Sequence, residues 1–103
     1  MDYFIERINK LTNNEQFAKL VEELTIQENI ITTKTELVKK IESKQDTIFK
    51  NKPILGATRW FVVGLYNAGM NHYLAVLEDG HIQLYALINF DGKKISVLHE
   101  YVP

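Results

Sequence analysis

The chain has 103 residues, with 12 basic and 13 acidic side chains, and it contains no cysteine. This length predicts a single domain, 1–103, with a helical half at 1–52 and a sheet half at 53–103. An apolar content of 46 % excludes intrinsic disorder. The near-neutral charge excludes a strongly basic nucleic-acid binder. The lack of cysteine excludes disulfides, thiolate metal sites and cysteine catalysis.

Residues 2–52 have the pattern of helices. Apolar residues recur at the i, i+3, i+4, i+7 spacing of a helix with one buried face, at Phe17, Leu20, Val21 and Leu24. Thr12-x-x-Glu15 and Thr33-x-x-Glu36 match the capping box, in which two side chains satisfy backbone N–H groups at a helix start. We therefore expect two or three helices in this half.

From Thr58 onward the apolar pattern changes to the period of two that is typical of strands. Asp79-Gly80 and Asp91-Gly92 are two-residue hairpin signals, and Asn67-Ala68-Gly69 predicts a further turn. The expected strands are 59–66, 73–78, 81–90 and 94–102. The chain is thus predicted to be an α+β protein, with two or three N-terminal helices packed on one face of a four-stranded antiparallel β-meander.

Counting outward from two-residue turns predicts which side chains share a face of the sheet. One face pairs Leu77 with Ile82 and Leu84 with His99, and we expect it to lie against the helices. The other face has a polar rim, including His72 and Glu100, around an apolar centre. Its predicted partner-binding residues are Leu74, Val76, Gln83, Tyr85, Leu87, Lys94 and Leu98.

This second face is more apolar than a solvated face of an antiparallel sheet needs to be. Two explanations are open. Either the first helix or the segment 50–57 covers it, or it binds another protein or a second copy of the chain. Full burial of Tyr85 and Leu98 by the chain's own residues would exclude the second explanation.

Residues 36–48 contain the most specific local motif. Val38 and Ile48 are ten residues apart, and the segment resembles the helix-turn-helix pattern of bacterial DNA-binding proteins, whose packing positions have this spacing. It departs from that pattern where Glu42 replaces the turn glycine and Ser43 replaces an apolar residue. The resemblance implies DNA contacts from the second helix. The residues that would make them are Lys44, Gln45, Thr47 and Lys50.

No pattern predicts catalysis or a metal site. The histidines, His72, His81 and His99, lack the spacing of metal ligands, and neither serine, Ser43 or Ser96, has the context of a nucleophile. The five glycines are too scattered to form a phosphate-binding loop. We therefore expect no enzyme activity, no metal, no cofactor and no small-molecule substrate.

The sequence favours a small cytoplasmic protein that acts by binding another protein or a second copy of itself. It has no apolar run long enough for a membrane span and no signal-peptide pattern. Ile, Lys and Asn supply 29 of the 103 residues, a bias typical of AT-rich genomes. This bias, the small size and the lack of catalytic groups together fit a phage or mobile-element inhibitor that occludes a host or defence protein. The alternative is a helix-turn-helix DNA-binding regulator with the sheet as its dimerisation element.

Overall fold

The computed structural model describes residues 2–26, 35–50 and 59–103. These residues form four helices followed by four strands. The elements are α1 (Asp2–Asn9), α2 (Asn14–Ile26), α3 (Thr35–Ser43), α4 (Gln45–Ile48), β1 (Phe61–Gly69), β2 (His72–Asp79), β3 (Ile82–Phe90) and β4 (Ile95–Tyr101). The strands form one antiparallel sheet in the order β1-β2-β3-β4, which confirms the predicted α+β class and meander.

The start of α2 is capped one residue later than the sequence pattern predicts. Asn13 Oδ1 accepts a hydrogen bond from the backbone N–H of Gln16, and Gln16 Oε1 accepts one from the backbone N–H of Thr12, both at 2.9 Å. Asn13 is thus the N-cap, and the arrangement differs from a capping box because the return bond of Gln16 goes to the N–H of Thr12 and not to that of Asn13. The second predicted box begins at Thr33, which lies outside the described residues.

The helices lie on both faces of the sheet, and in this respect the structure differs from the one-sided packing predicted above. The core between the sheet and helices α1 and α2, on what we call the α1/α2 face, contains Ile8, Phe17, Leu20, Val21, Leu24, Ala68, Leu74 and Leu87. The core on the α3/α4 face contains Leu37, Ile41, Phe49, Trp60, Leu65, Ala75, Leu77, Leu84, Ala86, Ile88 and Ile95. Because β2 and β3 are apolar on both sides, each side has to be covered to leave water.

β1 extends beyond the predicted strand and contains two β-bulges. The register against β2 shifts between Val62 and Gly64 and again between Asn67 and Gly69. The segment 67–69, predicted as a turn, is therefore the end of the strand. The turn itself consists of Met70 and Asn71, whose φ angles are 47° and 65°. Positive φ at both central residues is what a type I′ hairpin turn requires.

The β2–β3 hairpin has the predicted faces but a different register. Asp79 pairs with Ile82 across a turn made by Gly80 and His81, so Leu77 pairs with Leu84 and not with Ile82. The cross-strand partner of Leu77 is therefore two residues further along β3 than predicted. Because side chains alternate with a period of two, an even shift leaves every side chain on its predicted face.

The β3–β4 connection has four residues, not the predicted two. The Asp91 carboxylate accepts hydrogen bonds from the backbone N–H groups of Lys94 and Lys93, each at 2.9 Å. These bonds lower the pKa of Asp91. The loop that they fix makes Phe90 pair with Ile95.

A β-bulge in β4 reverses the predicted direction of its last side chains. Ile88 pairs with Val97 and Leu87 with His99, so Leu98 is the inserted residue. His99 therefore lies on the α1/α2 face, whereas the sequence count placed it on the opposite one. Glu100 likewise moves to the α3/α4 face, where its Oε2 accepts a hydrogen bond from the backbone N–H of Lys50 at 2.8 Å.

Candidate functional site

The apolar centre of the predicted partner surface is covered by the chain's own residues. Leu74 and Leu87 are fully buried in the core beneath α1 and α2, and Val76 is 7 % exposed. At these three positions the apolar face is therefore covered by the chain itself, which is the first of the two explanations given above. These three residues are at most 7 % exposed, so they do not provide the exposed apolar centre that was expected of a partner surface.

Lys94 and Leu98 are exposed, but they lie apart from the remaining predicted residues. Lys94 belongs to the β3–β4 loop and is next to the Phe90 end of β3, about 17 Å along the strand from Tyr85 at ~3.4 Å per residue. Leu98 is 48 % exposed at the bulge of β4. There it lines an open cleft of about 250 Å³ together with Lys50, Val97, His99 and Glu100. The seven predicted residues therefore do not form one surface.

Gln83 and Tyr85 remain accessible at one end of the α1/α2 face. Phe61 pairs with Glu78 and Glu78 pairs with Gln83, while Tyr85 pairs with Tyr101 in the adjacent part of the sheet. Phe61 is 53 % exposed, and the other four residues are half-buried. We call these five residues the open sheet end.

Contacts within the open sheet end hold its side chains in place. Gln83 Nε2 donates a hydrogen bond to Glu78 Oε2 at 2.9 Å. The rings of Tyr85 and Tyr101 stack with their centroids 6.4 Å apart and their planes at 18°. Side chains that are already ordered lose less conformational entropy when a partner binds, so this surface is preorganised for contact.

The exposed aromatic residue of this surface, Phe61, follows a buried one. Trp60 is fully buried against Phe49, whereas Phe61 is on the opposite side of the chain, with the guanidinium of Arg59 5.5 Å from its ring centroid. This distance is within the range of a cation–π contact. Phe61 is not among the surface residues predicted from the sequence. Alternation along a strand is the signal that separates Trp60 inside from Phe61 outside.

The segment that resembles a helix-turn-helix forms α3 and the short α4. Val38 and Ile48 are half-buried and pack against the core on the α3/α4 face. The second helix, however, is the four-residue α4, and the chain is extended at Phe49, with φ −101° and ψ 120°. One helical turn is too short to present a reading surface to the major groove.

The predicted DNA-contacting residues do not share an exposed face. Gln45 is 3 % exposed and is hydrogen-bonded to the backbone of Trp60, so it cannot contact a base. Lys44, Thr47 and Lys50 are exposed, but Thr47 Oγ1 donates to the carbonyl oxygen of Lys44 at 2.9 Å. The prediction that Gln45 reads DNA is therefore wrong, because its amide is part of the core.

Glu42, which replaces the turn glycine of the helix-turn-helix pattern, has a structural role. Its Oε2 accepts a hydrogen bond from the backbone N–H of Val62 at 2.9 Å. Glu42 lies within α3, and the described residues with positive φ do not include it, so the left-handed turn residue of the motif is missing at this position. Glu42 therefore caps a backbone N–H at the start of β1, whereas Ser43 Oγ donates to the carbonyl oxygen of Lys40 within α3.

The ring nitrogens of His72 and His99 make hydrogen-bonding contacts within the fold. His72 Nδ1 lies 2.8 Å from the carbonyl oxygen of Met70 in the β1–β2 turn, and His99 Nε2 lies 3.0 Å from Asn14 Oδ1 at the start of α2. Burial lowers the pKa of His99, and the nearby Glu100 carboxylate partly opposes this effect. Within 2–26, 35–50 and 59–103, no group of three His, Asp or Glu side chains is placed to hold a metal ion.

Comparison with protein-family models, with curated proteins and with solved structures found no match for the chain. The longest helix in the described part of the chain, α2, has 13 residues, and no helix there has the length and apolar character needed to cross a membrane. The geometry of the open sheet end is thus the guide to function.

Proposed function

We propose that the protein acts by binding another protein through the open sheet end. The observation that carries this proposal is the 53 % exposure of Phe61 on a sheet face whose other end is buried by helices. Aromatic residues and arginine are enriched at protein interfaces, where they supply most of the binding energy. Phe61, Tyr85, Tyr101 and Arg59 provide both types at this end of the sheet.

A second copy of the chain is the partner that the charges of this surface fit best. Arg59 contacts the ring of Phe61, and Glu78 is the direct cross-strand partner of the same residue. A two-fold axis places a patch against itself, so a patch with both signs of charge beside an apolar centre is self-complementary. In such a dimer Arg59 of one copy lies near Glu78 of the other.

Binding by this surface acts through occlusion, because the bound chain covers the part of its partner that it touches. In the other form of the proposal, the partner is a different protein in the cytoplasm, such as a host or defence protein covered by a phage-encoded inhibitor. That form is supported only by the composition of the sequence. The DNA-binding alternative has less support, because α4 is a single turn and Gln45 faces the core.

The test compares Phe61→Arg with Met70→Arg. Both wild-type residues are large, apolar and more than half exposed, but Met70 is in the β1–β2 turn at the other end of β1. Light scattering after size exclusion over a wide concentration range measures the mass of each variant. We expect the wild type and Met70→Arg to form dimers as concentration rises, and Phe61→Arg to stay monomeric while its circular dichroism is unchanged.

The remaining outcomes identify a different partner or overturn the proposal. If the wild type is monomeric throughout, the second copy is excluded as the partner. A protein from lysate of the source cells must then be retained by the wild type and by Met70→Arg and lost with Phe61→Arg. If no protein shows that pattern, or if a dimer forms equally in Phe61→Arg, the open sheet end is not a binding surface.

A further inference from the structure

A second candidate site lies between the end of α1 and the first half of α2. It is a cleft of about 180 Å³, lined by Arg7, Lys10, Leu11, Gln16, Lys19 and Leu20. None of these residues belongs to the open sheet end. The cleft is therefore independent of the interaction surface proposed above.

The basic residues of the segment 2–26 are concentrated at this cleft. Residues 2–26 contain five acidic and three basic residues, a net charge of −2, yet all three basic residues line the cleft. Arg7 Nη1 is ion-paired with Glu23 of α2, which holds the guanidinium between the two helices. Lys10 and Lys19 are exposed at the opening. Cations that converge within a Debye length of ~10 Å raise the local concentration of anions.

The lining also has an apolar part. Leu20 is buried in the core on the α1/α2 face, and Leu11 is half-buried against the same core. A ligand that satisfies both parts has an anionic group and an apolar group. Ordinary ligand pockets have volumes of about 300–1,000 Å³, so this smaller cleft takes only a short molecule.

We propose that the α1–α2 cleft binds a small organic anion, a carboxylate with a short apolar chain. The carboxylate faces Lys10 and Lys19, and the chain lies along Leu11, above the buried Leu20. Neither contact alone is selective, since exposed lysines attract any anion and leucines attract any apolar group. Their combination at one opening favours a ligand that carries both.

The test uses amide proton–nitrogen correlation spectra of the full chain titrated with sodium hexanoate. We expect saturable shifts confined to residues lining the cleft, and binding about tenfold weaker for acetate, which lacks the chain, and for hexanol, which lacks the charge. Sodium chloride at equal ionic strength should give no saturable shift. Lys10→Gln combined with Lys19→Gln should weaken hexanoate binding by about tenfold.

The matched control is Lys39→Gln combined with Lys44→Gln, which removes two exposed lysines from the segment that covers the α3/α4 face. This variant should bind hexanoate like the wild type. Absence of saturable binding, shifts located outside the cleft, or equal weakening by both double variants would each overturn the proposal. Equal binding of hexanoate and acetate would show that the leucines do not contribute, and would overturn it as well.

Discussion

Gln45 pairs with the backbone of Trp60 much as a neighbouring strand would. The N–H of Trp60 donates to Gln45 Oε1 at 2.7 Å, and Gln45 Nε2 donates to the carbonyl oxygen of Trp60 at 3.1 Å. Glu42 adds a third bond, to the N–H of Val62. Because unpaired backbone groups at a sheet edge invite pairing with another chain, these two side chains close the start of β1 to such pairing.

Gln45→Ala should destabilise the fold by about 2–4 kcal/mol, because two buried backbone groups of Trp60 lose their partners at a cost of ~1–3 kcal/mol each. Urea denaturation measures the free energy of unfolding. Lys44→Ala, at the adjacent exposed position, is the control and should cost less than about 0.5 kcal/mol. Equal losses in the two variants would show that the Gln45–Trp60 pairing contributes nothing.

His99 should make stability depend on pH near neutrality. Burial lowers its pKa below the ordinary value of 6.5, so the unfolded chain takes up a proton at a higher pH than the folded chain does. The stability that comes from keeping His99 neutral is therefore fully present above about pH 6.5. It is lost as the pH falls through the lower pKa that His99 has in the folded state. The loss should be small, because His99 is only half-buried.

Urea midpoints measured between about pH 5 and pH 8, above the titration of most carboxylates, test this dependence. His99→Gln should flatten the decline on the acidic side. His81→Gln changes an exposed histidine in the β2–β3 turn and should retain the wild-type profile. If His99→Gln retains it too, His99 is not the group responsible.

Gly64 and Tyr66 should be energetically coupled. A Cβ at Gly64 would lie 3.1 Å from Tyr66 Cε2 and 3.6 Å from the Cβ of Val76. Gly64→Val should therefore destabilise the protein by about 1–3 kcal/mol, the usual range for overpacking. In a Tyr66→Ala background the same substitution should cost less, because the ring is gone. Additive effects in this double-mutant cycle would contradict the coupling.

The hairpins were predictable where turn residues are specific and the strands have no bulges. Asp79-Gly80 identified the β2–β3 connection, and the faces of both strands followed, because an even register shift preserves them. The bulge at Leu98 has no comparable signal in a single sequence. As a result, the count along β4 placed His99 and Glu100 on the wrong faces.

The covered face was the larger difference between expectation and structure. Leu74, Val76 and Leu87 had the composition of a strand interior that is buried on both sides, and this pattern does not say what covers it. Which helix covers each face of the sheet is determined by tertiary packing, and the local sequence pattern does not encode it. Of the predicted site, Gln83 and Tyr85 remain accessible. Phe61 was missed because its neighbour Trp60 belongs to the core.

Substitutions in the β1–β2 turn should raise the free energy of unfolding. Met70 and Asn71 both have positive φ, a conformation that costs ~1–2 kcal/mol for a residue with an ordinary side chain and little for asparagine or glycine. Met70→Asn combined with Asn71→Gly gives the sequence that type I′ turns favour. Because Met70 is mostly exposed, little packing is lost. The urea midpoint should rise by an amount equivalent to about 1 kcal/mol, with an unchanged slope.

Met70→Ala separates backbone strain in this turn from loss of the side chain. Alanine keeps the Cβ that makes positive φ unfavourable, so this variant should not be stabilised. If Met70→Ala raises the midpoint as much as the double substitution does, the gain comes from removing an exposed apolar side chain. The strain at Met70 would then contribute nothing measurable. A lower midpoint in the double variant would mean that the Met70 side chain makes contacts whose loss outweighs the relief of the turn.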